Sequence, residues 1–355
     1  YEIKECDWSS DVCSSDLTGA LEVAAELAAA GAPVTVATGT VGTDASAVDV
    51  IDLGSRALSP QQAVERLRAV GAVRAHKIDS TLRGNWVAEV RALAATSRVL
   101  IVPAAPALGR TCVEGVVHVH GRPLANGDVR AHLPEAQWLA GPDAVEGWVI
   151  AGTGIAVAAT PPDPVLWAAH ALSGSSAGDA VFVGPAAAIG STLRAVGQES
   201  RPAPLPRRPG ASVMVVCGSV SAVARSQLAA VYEALADGIL RNVAVHTTDL
   251  PVSPLLPLQP QVLEPQVAAT LVHGIDWTNA GVVVVVGGDT TAAMLGDRPC
   301  PVGGYAALGM PWSLPLGADG PLLVTKAGAF GEQQCLVDLI RSLVGSPAGT
   351  AGGAE

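Results

Sequence analysis

Ten consecutive residues, His76-Lys77-Ile78-Asp79-Ser80-Thr81-Leu82-Arg83-Gly84-Asn85, bring a lysine, an arginine, a carboxylate and two hydroxyls into one short segment. Lysine is scarce in this chain, occurring only as Lys4, Lys77 and Lys326, so two of the three fall in motifs of interest. The two cations of the segment suit an anionic ligand, a carboxylate or a phosphoryl group, and arginine can hold either with two parallel hydrogen bonds. The plainer reading is a helix start, with Asp79 or Ser80 as N-cap and Arg83 in water. Lys77 and the close-approach Gly84 favour a ligand.

Other residues of the first half complement that cluster. Asp16-Leu17-Thr18-Gly19 opens an alanine-rich helix, Asp52, Ser55 and Arg56 come after an apolar run, and Pro103-Ala104-Ala105-Pro106 precedes Gly109-Arg110-Thr111. In the second half three turns succeed three apolar runs: Gly218-Ser219-Val220-Ser221, Gly287-Gly288-Asp289-Thr290, and Lys326-Ala327-Gly328-Ala329-Phe330-Gly331. Backbone N–H groups at a helix start attract anions, and glycine admits a phosphate close to the main chain. Each turn alone is an ordinary strand-to-helix junction. Three at parallel strand ends predict a shared nucleotide crevice.

Several chemistries are disfavoured. None of these turns is a Walker A loop or a Gly-x-Gly-x-x-Gly fingerprint, and Gly152-Thr153-Gly154 precedes a strand rather than a helix. No Gly-x-Ser-x-Gly elbow is present. His118 and His120 alternate along an apparent strand, which makes at best a weak metal site without a nearby carboxylate or cysteine.

The elements that must position these groups alternate between strand-like and helix-like patterns. This predicts an α/β fold of two domains, each a mainly parallel sheet flanked by helices, with the active site in the interdomain cleft. The expected division is residues 1–15 as a foreign N-terminus, 16–200 as a substrate-binding domain, 201–211 as a linker, 212–345 as a nucleotide-binding domain and 346–355 as a disordered tail. In the first domain a helix is expected from Thr18 to a stop at Gly31, with strands over 34–37, 48–53, 73–78 and 99–102. Helices should start at Ser59-Pro60 and at Asn85, and residues 112–139 should carry loops or a small hairpin. Further strands are expected over 155–158 and 180–183. The segment 198–211 holds four prolines and reads as a linker, and 251–265 as a second proline-rich loop. In the second domain strands are expected over 213–217, 243–246, 282–286 and 322–325, and helices over 222–236, 267–273, from Thr290, and over 332–344.

Composition narrows the function. At 355 residues and 49% hydrophobic the chain can bury two cores. A net charge of −11 argues against a nucleic-acid surface, and no apolar run approaches the roughly 20 residues needed to cross a bilayer. The six cysteines are scattered without Cys-x-x-Cys spacing, so neither a disulfide framework nor a structural zinc is expected. A reduced, cytoplasmic protein is the expectation.

These motifs resemble the four-carbon acid sugar kinase family from about Asp16 to Gly345. The family's Asp-Asp-x-Thr-Gly turn is similar to Ser15-Asp16-Leu17-Thr18-Gly19, with Ser15 at the first acid. Its Lys-x-Asp-Ser-Thr-x-Arg-Gly segment corresponds to Lys77–Gly84, and its Pro-Ala-x-Pro and Gly-Arg-Thr stretch to 103–111. In the second half the family's Gly-Ser-x-Ser, Gly-Gly-Asp/Glu-Thr and Lys-x-Gly-x-Phe-Gly motifs match 218–221, 287–290 and 326–331. Ala131-His132-Leu133-Pro134 replaces the family's His-Pro-Leu stretch. The resemblance implies phosphorylation of the terminal hydroxyl of a threonate, erythronate or 3-oxo-tetronate by ATP with Mg²⁺. It implies Asp16, Asp79, Lys77 and Arg83 as catalytic groups, with either aspartate as the base. Thr18, Lys77, Ser80, Thr81, Arg83 and Arg110 would hold the acid. Ser219, Ser221, Gly287, Gly288, Asp289, Thr290 and Gly328 would hold ATP, and no residue is assigned to the metal. Partners are small molecules, with no nucleic acid or membrane; a homo-oligomer is compatible.

The segment Asp7–Leu17 also resembles an in-frame translation of a sequencing-library adapter. That likeness, with no apolar run of strand length before Ser15, predicts that foreign sequence stands where the first strand should be. It makes a catalytically inactive protein that binds sugar acid or nucleotide the rival reading. A nicotinamide-dependent dehydrogenase is disfavoured by the missing dinucleotide fingerprint.

Overall fold

A computed structural model of the chain describes residues 12–28, 34–38, 50–151, 154–158, 180–195, 204–248 and 265–345. The expected stop at Gly31, residues 251–264 of the second proline-rich loop, residues 198–203 of the linker, Gly152 and Thr153, and the glycine-rich tail lie outside these residues. The chain forms two compact units, residues 1–203 with 297–304, and residues 204–296 with 305–355. The segment Asp297–Gly304 thus belongs to the first unit, although the sequence put residues 212–345 in the second. Residues 208–211 belong to the second: the Arg208 and Gly210 N–H groups donate to Leu343 and Val344 carbonyls, and the Arg208 guanidinium donates to Ala318 O at 2.8 Å.

The first unit is built on a parallel sheet in the order Val34–Thr38, Val50–Asp52, Val12–Ser14, Ala75–Lys77, Ala180–Gly184, Arg98–Ile101, Ile155–Ala158 and Gln137–Leu139. Residues 300–302 add to it antiparallel, beside Val34–Val36. A strand, Val12–Ser14, therefore occupies the first-strand position, although no apolar run of strand length marked it. Three small residues suffice because each strand here is short and the neighbours supply the hydrogen bonds: Cys13 pairs with Ile51 on one side and His76 on the other. All three residues are buried.

Side chains alternate along a strand, so Lys77 and His76 face opposite sides of the sheet. Lys77 lies against the helix Leu17–Ala28 and His76 against the helix Trp86–Ala94, which place helices on both faces. The helix Pro60–Val70 begins as expected, with Ser59 and Gln62 forming a capping box and Pro60 in the first turn. Of the loops or small hairpin expected over 112–139, the stretch 110–128 takes the hairpin form. It forms a three-stranded antiparallel sheet, Arg110–Val113, Val116–Val119 and Arg122–Asp128. Two-residue turns join the strands, and Glu114-Gly115 and His120-Gly121 all have positive φ, the backbone that tight hairpins require. His120 thus sits in a turn and not beside His118 on a strand face, and among the described residues no group of three His, Cys, Asp or Glu could hold a metal.

The second unit places Val243–Thr247, Val213–Cys217, Val282–Val286 and Leu322–Lys326 side by side in parallel, with Met310–Ser313 antiparallel to the last. The valine-rich run Val282–Val286 is buried along its whole length, as parallel strands covered on both faces must be. Among the described residues no helix is long and apolar enough to cross a membrane.

Candidate functional site

In the first unit three strands end at one level: Ser14 is in register with both Asp52 and Lys77. The segments that leave these three strand ends converge. Asp16 caps the helix Leu17–Ala28, its Oδ1 accepting the Gly19 N–H at 3.0 Å. Its other oxygen lies 3.4 Å from Lys77 Nζ and 3.4 Å from Arg56 Nη1. The Lys77 stem crosses the first turn of that helix, where a methyl on Gly19 would lie 2.5 Å from Lys77 Cδ. Only glycine leaves this path open.

Burial works against ionising Asp16, yet the Lys77 ammonium and the Arg56 guanidinium hold its carboxyl below the usual carboxylate value. Burial also opposes charge on Lys77, but Asp16, Glu22 and Asp79 together keep it protonated. Two further acids near this cluster behave differently. Burial pushes Asp52 and Glu22 each up to about 7, against the weaker pull of the cations. Asp16 is thus the ionised carboxylate at the junction of two cations, with two acids of near-neutral pKa behind it.

Asp79 is close in space but differently engaged. One oxygen accepts from the Thr81 N–H at 2.9 Å and from Arg83 Nε at 2.8 Å, and the other takes the second arm of the Arg83 fork. Burial opposes its charge, but Arg83 holds Asp79 well below the ordinary value. The turn also carries Leu82 at φ +58°, a left-handed backbone that a leucine rarely adopts and that tends to occur at functional sites. Neither Asp79 nor Ser80 caps a helix, because the helix starts at Trp86. Thr18, Ser80 and Thr81 are half-buried around this cluster. Arg110, on the neighbouring three-stranded sheet, is near enough to feel the attraction of Asp79 and Glu22 and the repulsion of Arg83, and its buried Nε has no partner. Arg56 ranks with these residues. Its signal was the Asp52-to-Arg56 run after an apolar strand, which marked the loop but not which of its residues reaches the cluster.

Behind the site, on the opposite face of the sheet, runs a fully buried polar chain. Cys13 Sγ lies 3.1 Å from His76 Nδ1, His76 Nε2 lies 3.0 Å from Glu89 Oε2, and Ser55 Oγ donates to Glu89 Oε1. Burial alone would lower the His76 pKa, but the Cys13 sulfur and the Glu89 carboxylate raise it to about 10. The resulting stability is fully present below the unfolded value of 6.5 and is lost as pH rises through about 10. Lys326, pulled down to about 8 by burial, acts in the opposite sense at alkaline pH. The expected result is therefore comparative: between pH 7 and 10 the melting temperature of the wild type falls more steeply than that of His76→Asn, measured by differential scanning calorimetry.

In the second unit the three turns leave three adjacent parallel strands and meet. Ser221 Oγ caps the helix Ala222–Ala236 by accepting the Ala224 N–H at 3.1 Å and donates to Gly328 O at 2.8 Å. The Gly287 N–H donates to Lys326 O at 2.9 Å. Gly287 adopts φ +115°, and the helix Gly288–Leu295 begins directly after it, with Asp289 in its first turn. Thr290 Oγ1 is buried at this turn and has no hydrogen-bond partner, an orphaned donor beside Gly287. A methyl on Gly328 would lie 2.7 Å from Ser219 Cβ and closer still to its hydroxyl. Ser219, Ser221, Gly287, Gly288, Asp289, Thr290 and Gly328 are therefore brought together. Gln227, which the sequence did not single out, donates through Nε2 to the carbonyls of Phe330, Gly331 and Glu332 at 3.0, 2.9 and 3.0 Å and pins the last turn.

Residues 12–135 match a family described as the sugar-binding N-terminal domain. A D-threonate kinase from Cupriavidus necator is 43% identical over 130 residues, which make up 33% of this chain and 31% of that relative, so the chain matches under a third of its length. A D-threonate kinase from Bordetella bronchiseptica is 30% identical over 333 residues, covering 77% of this chain and 79% of the relative. Among solved structures, a Haemophilus influenzae protein superposes with a TM-score of 0.63 at 19% identity, over 94% of this chain and 98% of the other. At that identity the likeness speaks to the fold.

Proposed function

The chain belongs to the four-carbon acid sugar kinase family, phosphotransferases with an alcohol group as acceptor, and from that membership we propose that it transfers the terminal phosphoryl group of ATP to the terminal hydroxyl of a sugar acid such as threonate, erythronate or 3-oxo-tetronate. The observation that carries this reading is the buried convergence of Lys77 and Arg56 on Asp16 at the ends of three parallel strands. Phosphoryl transfer asks a protein chiefly to position its reactants and neutralise charge.

The residues divide the work by their surroundings. Asp79 has both oxygens committed to Arg83 and Thr81, so its role is to hold the Arg83 fork in place for an anion. Asp16 keeps one oxygen near two cations and is the carboxylate that orients the attacking hydroxyl and accepts its proton. Lys77 and Arg56 are released toward the acid or the transferring group as Asp16 engages the hydroxyl. Thr18, Ser80, Thr81 and Arg110 complete the polar lining for the sugar acid.

The second unit fits the phosphates of ATP. The orphaned Thr290 hydroxyl and the N–H groups at the start of the helix Gly288–Leu295 are what a phosphate needs. Mg²⁺ would neutralise phosphate oxygens when bound; such an ion draws most of its ligands from the nucleotide and water, and Asp289 is the carboxylate this turn offers. Gly328→Ala drives a methyl into the Ser219 side chain, displacing this turn, and is expected to raise the KM for ATP by about tenfold or more, with the KM for the acid unchanged.

An ADP-release assay with purified protein, ATP, Mg²⁺ and a panel of four-carbon sugar acids tests the proposal. Turnover with one of them supports it. Thermal stabilisation by an acid or by a nucleotide without ADP release favours the inactive binding protein.

A further inference from the structure

The loop that carries Arg56 has little regular structure of its own, yet the guanidinium reaches Asp16. The segment Gly84–Glu89 supplies what holds it. Asn85 Nδ2 donates to the carbonyls of Ser55 and Leu58 at 2.9 and 2.8 Å. Gly84, at φ +85°, lets its main chain lie against the Arg56 backbone, where a methyl would be 2.9 Å from Arg56 Cγ and 3.2 Å from its Cα. One helical turn beyond Asn85, on the same face, Glu89 accepts the Ser55 hydroxyl. On the other side of the loop the Arg56 N–H donates to Ser15 O at 3.0 Å.

Glu89 is completely buried, and its carboxylate divides its oxygens between His76 and Ser55. A buried ion pair is often no more stabilising than apolar residues of the same volume. A self-contained His76–Glu89 pair would also have no need of Ser55. We propose that Glu89 is a positioning residue for the phosphoryl-transfer reaction: through the Ser55 hydroxyl it fixes the loop 53–58 so that Arg56 is held at Asp16. This rests on the kinase reading of the site. It assigns the last residues of the Lys77–Asn85 motif, and the glutamate one turn later, to building the arginine's position rather than to touching the ligand.

Ser55→Ala is the clean probe, because it removes the Ser55–Glu89 bond and leaves the His76–Glu89 pair and every charge in place. The expected result is a rise of about tenfold in the KM for the sugar acid with the KM for ATP unchanged. In an Arg56→Met background Ser55→Ala should then cost nothing further. Equal losses in both backgrounds, or unchanged kinetics in Ser55→Ala, overturn the proposal. A second measurement needs no substrate. The coupling between Arg56 and Asp16, read as non-additivity of melting temperature in a cycle of Arg56→Met and Asp16→Asn, should vanish when Ser55→Ala is added. If it persists, the positioning role is wrong. If the wild type phosphorylates no acid while the coupling still vanishes, the kinase reading fails and the clamp on Arg56 stands.

Discussion

Asp16→Asn should lower kcat by about 10²- to 10⁴-fold while leaving the KM for ATP within a factor of about two, as expected for loss of a positioned general base. The substitution is informative because it separates two tasks of one side chain. Asp16 caps the helix Leu17–Ala28 through the Gly19 N–H, and asparagine is as good an N-cap as aspartate. The helix start therefore survives. What disappears is the negative charge that faces Lys77 and Arg56 at 3.4 Å each. With that charge gone the two cations repel one another unless an anion binds, so the variant should bind the acid at least as tightly as the wild type even as turnover collapses. Single-turnover kinetics with isothermal titration measures both. Retention of more than a tenth of wild-type kcat would remove Asp16 from the base role.

Lys77→Met should reduce kcat/KM for the acid by about 10²- to 10³-fold, the loss typical of one charge-stabilising donor removed from a closed site. Methionine retains much of the length and the apolar stem of lysine, so the packing across Gly19 is preserved. Lys77→Arg should not restore activity. The path over the first helical turn is open only because Gly19 has no side chain, and a guanidinium fork is broader than an ammonium. Losing Lys77 also removes a cation that favours ionised Glu22 and Asp52, so both acids should titrate higher than about 7 in the variant. Steady-state kinetics and carboxyl NMR titration test the two statements separately. Wild-type rates in Lys77→Arg would show that a charge alone is enough.

The alternating rhythm of valine-rich runs and helix starts was legible in the sequence because parallel strands buried on both faces leave continuous apolar segments. Val213–Cys217, Ala222–Ala236 and Val282–Val286 have the expected bounds. The hairpin strands Cys300–Ala307 and Met310–Ser313 were missed, because Pro301, Gly303, Gly304 and Pro311 interrupt the pattern that marks a strand. The strand Val12–Ser14 was missed for a related reason: three residues are too few to show periodicity, and its evidence is in its neighbours. The site was readable as residue types and not as pairings. Lys77, Asp79 and Arg83 stood out, but nothing in their spacing says that Arg83 closes on Asp79 while Lys77 turns to Asp16. Glu89 and Gln227 gave no signal, since a single polar residue inside an apolar helix face looks like an ordinary exposed position until the helix is docked.

The strand Val12–Ser14 and the residue after it join the neighbouring strand ends mainly through their main chain. The Ser14 and Ser15 carbonyls accept the Leu53 and Arg56 N–H groups at 2.8 and 3.0 Å, and the Ser15 N–H donates to Lys77 O at 3.2 Å. The Ser15 hydroxyl, although buried, meets no partner at all. Peptide groups are the same whatever residue carries them, so the pairing itself is indifferent to residue type, while the Cys13 sulfur at His76 and the Ser14 hydroxyl at Asp16 are the side chains that matter there. The backbone thus threads the strand into the middle of the sheet, and the Ser14 hydroxyl, donating to Asp16 O at 2.9 Å, helps to deliver Asp16 to its place.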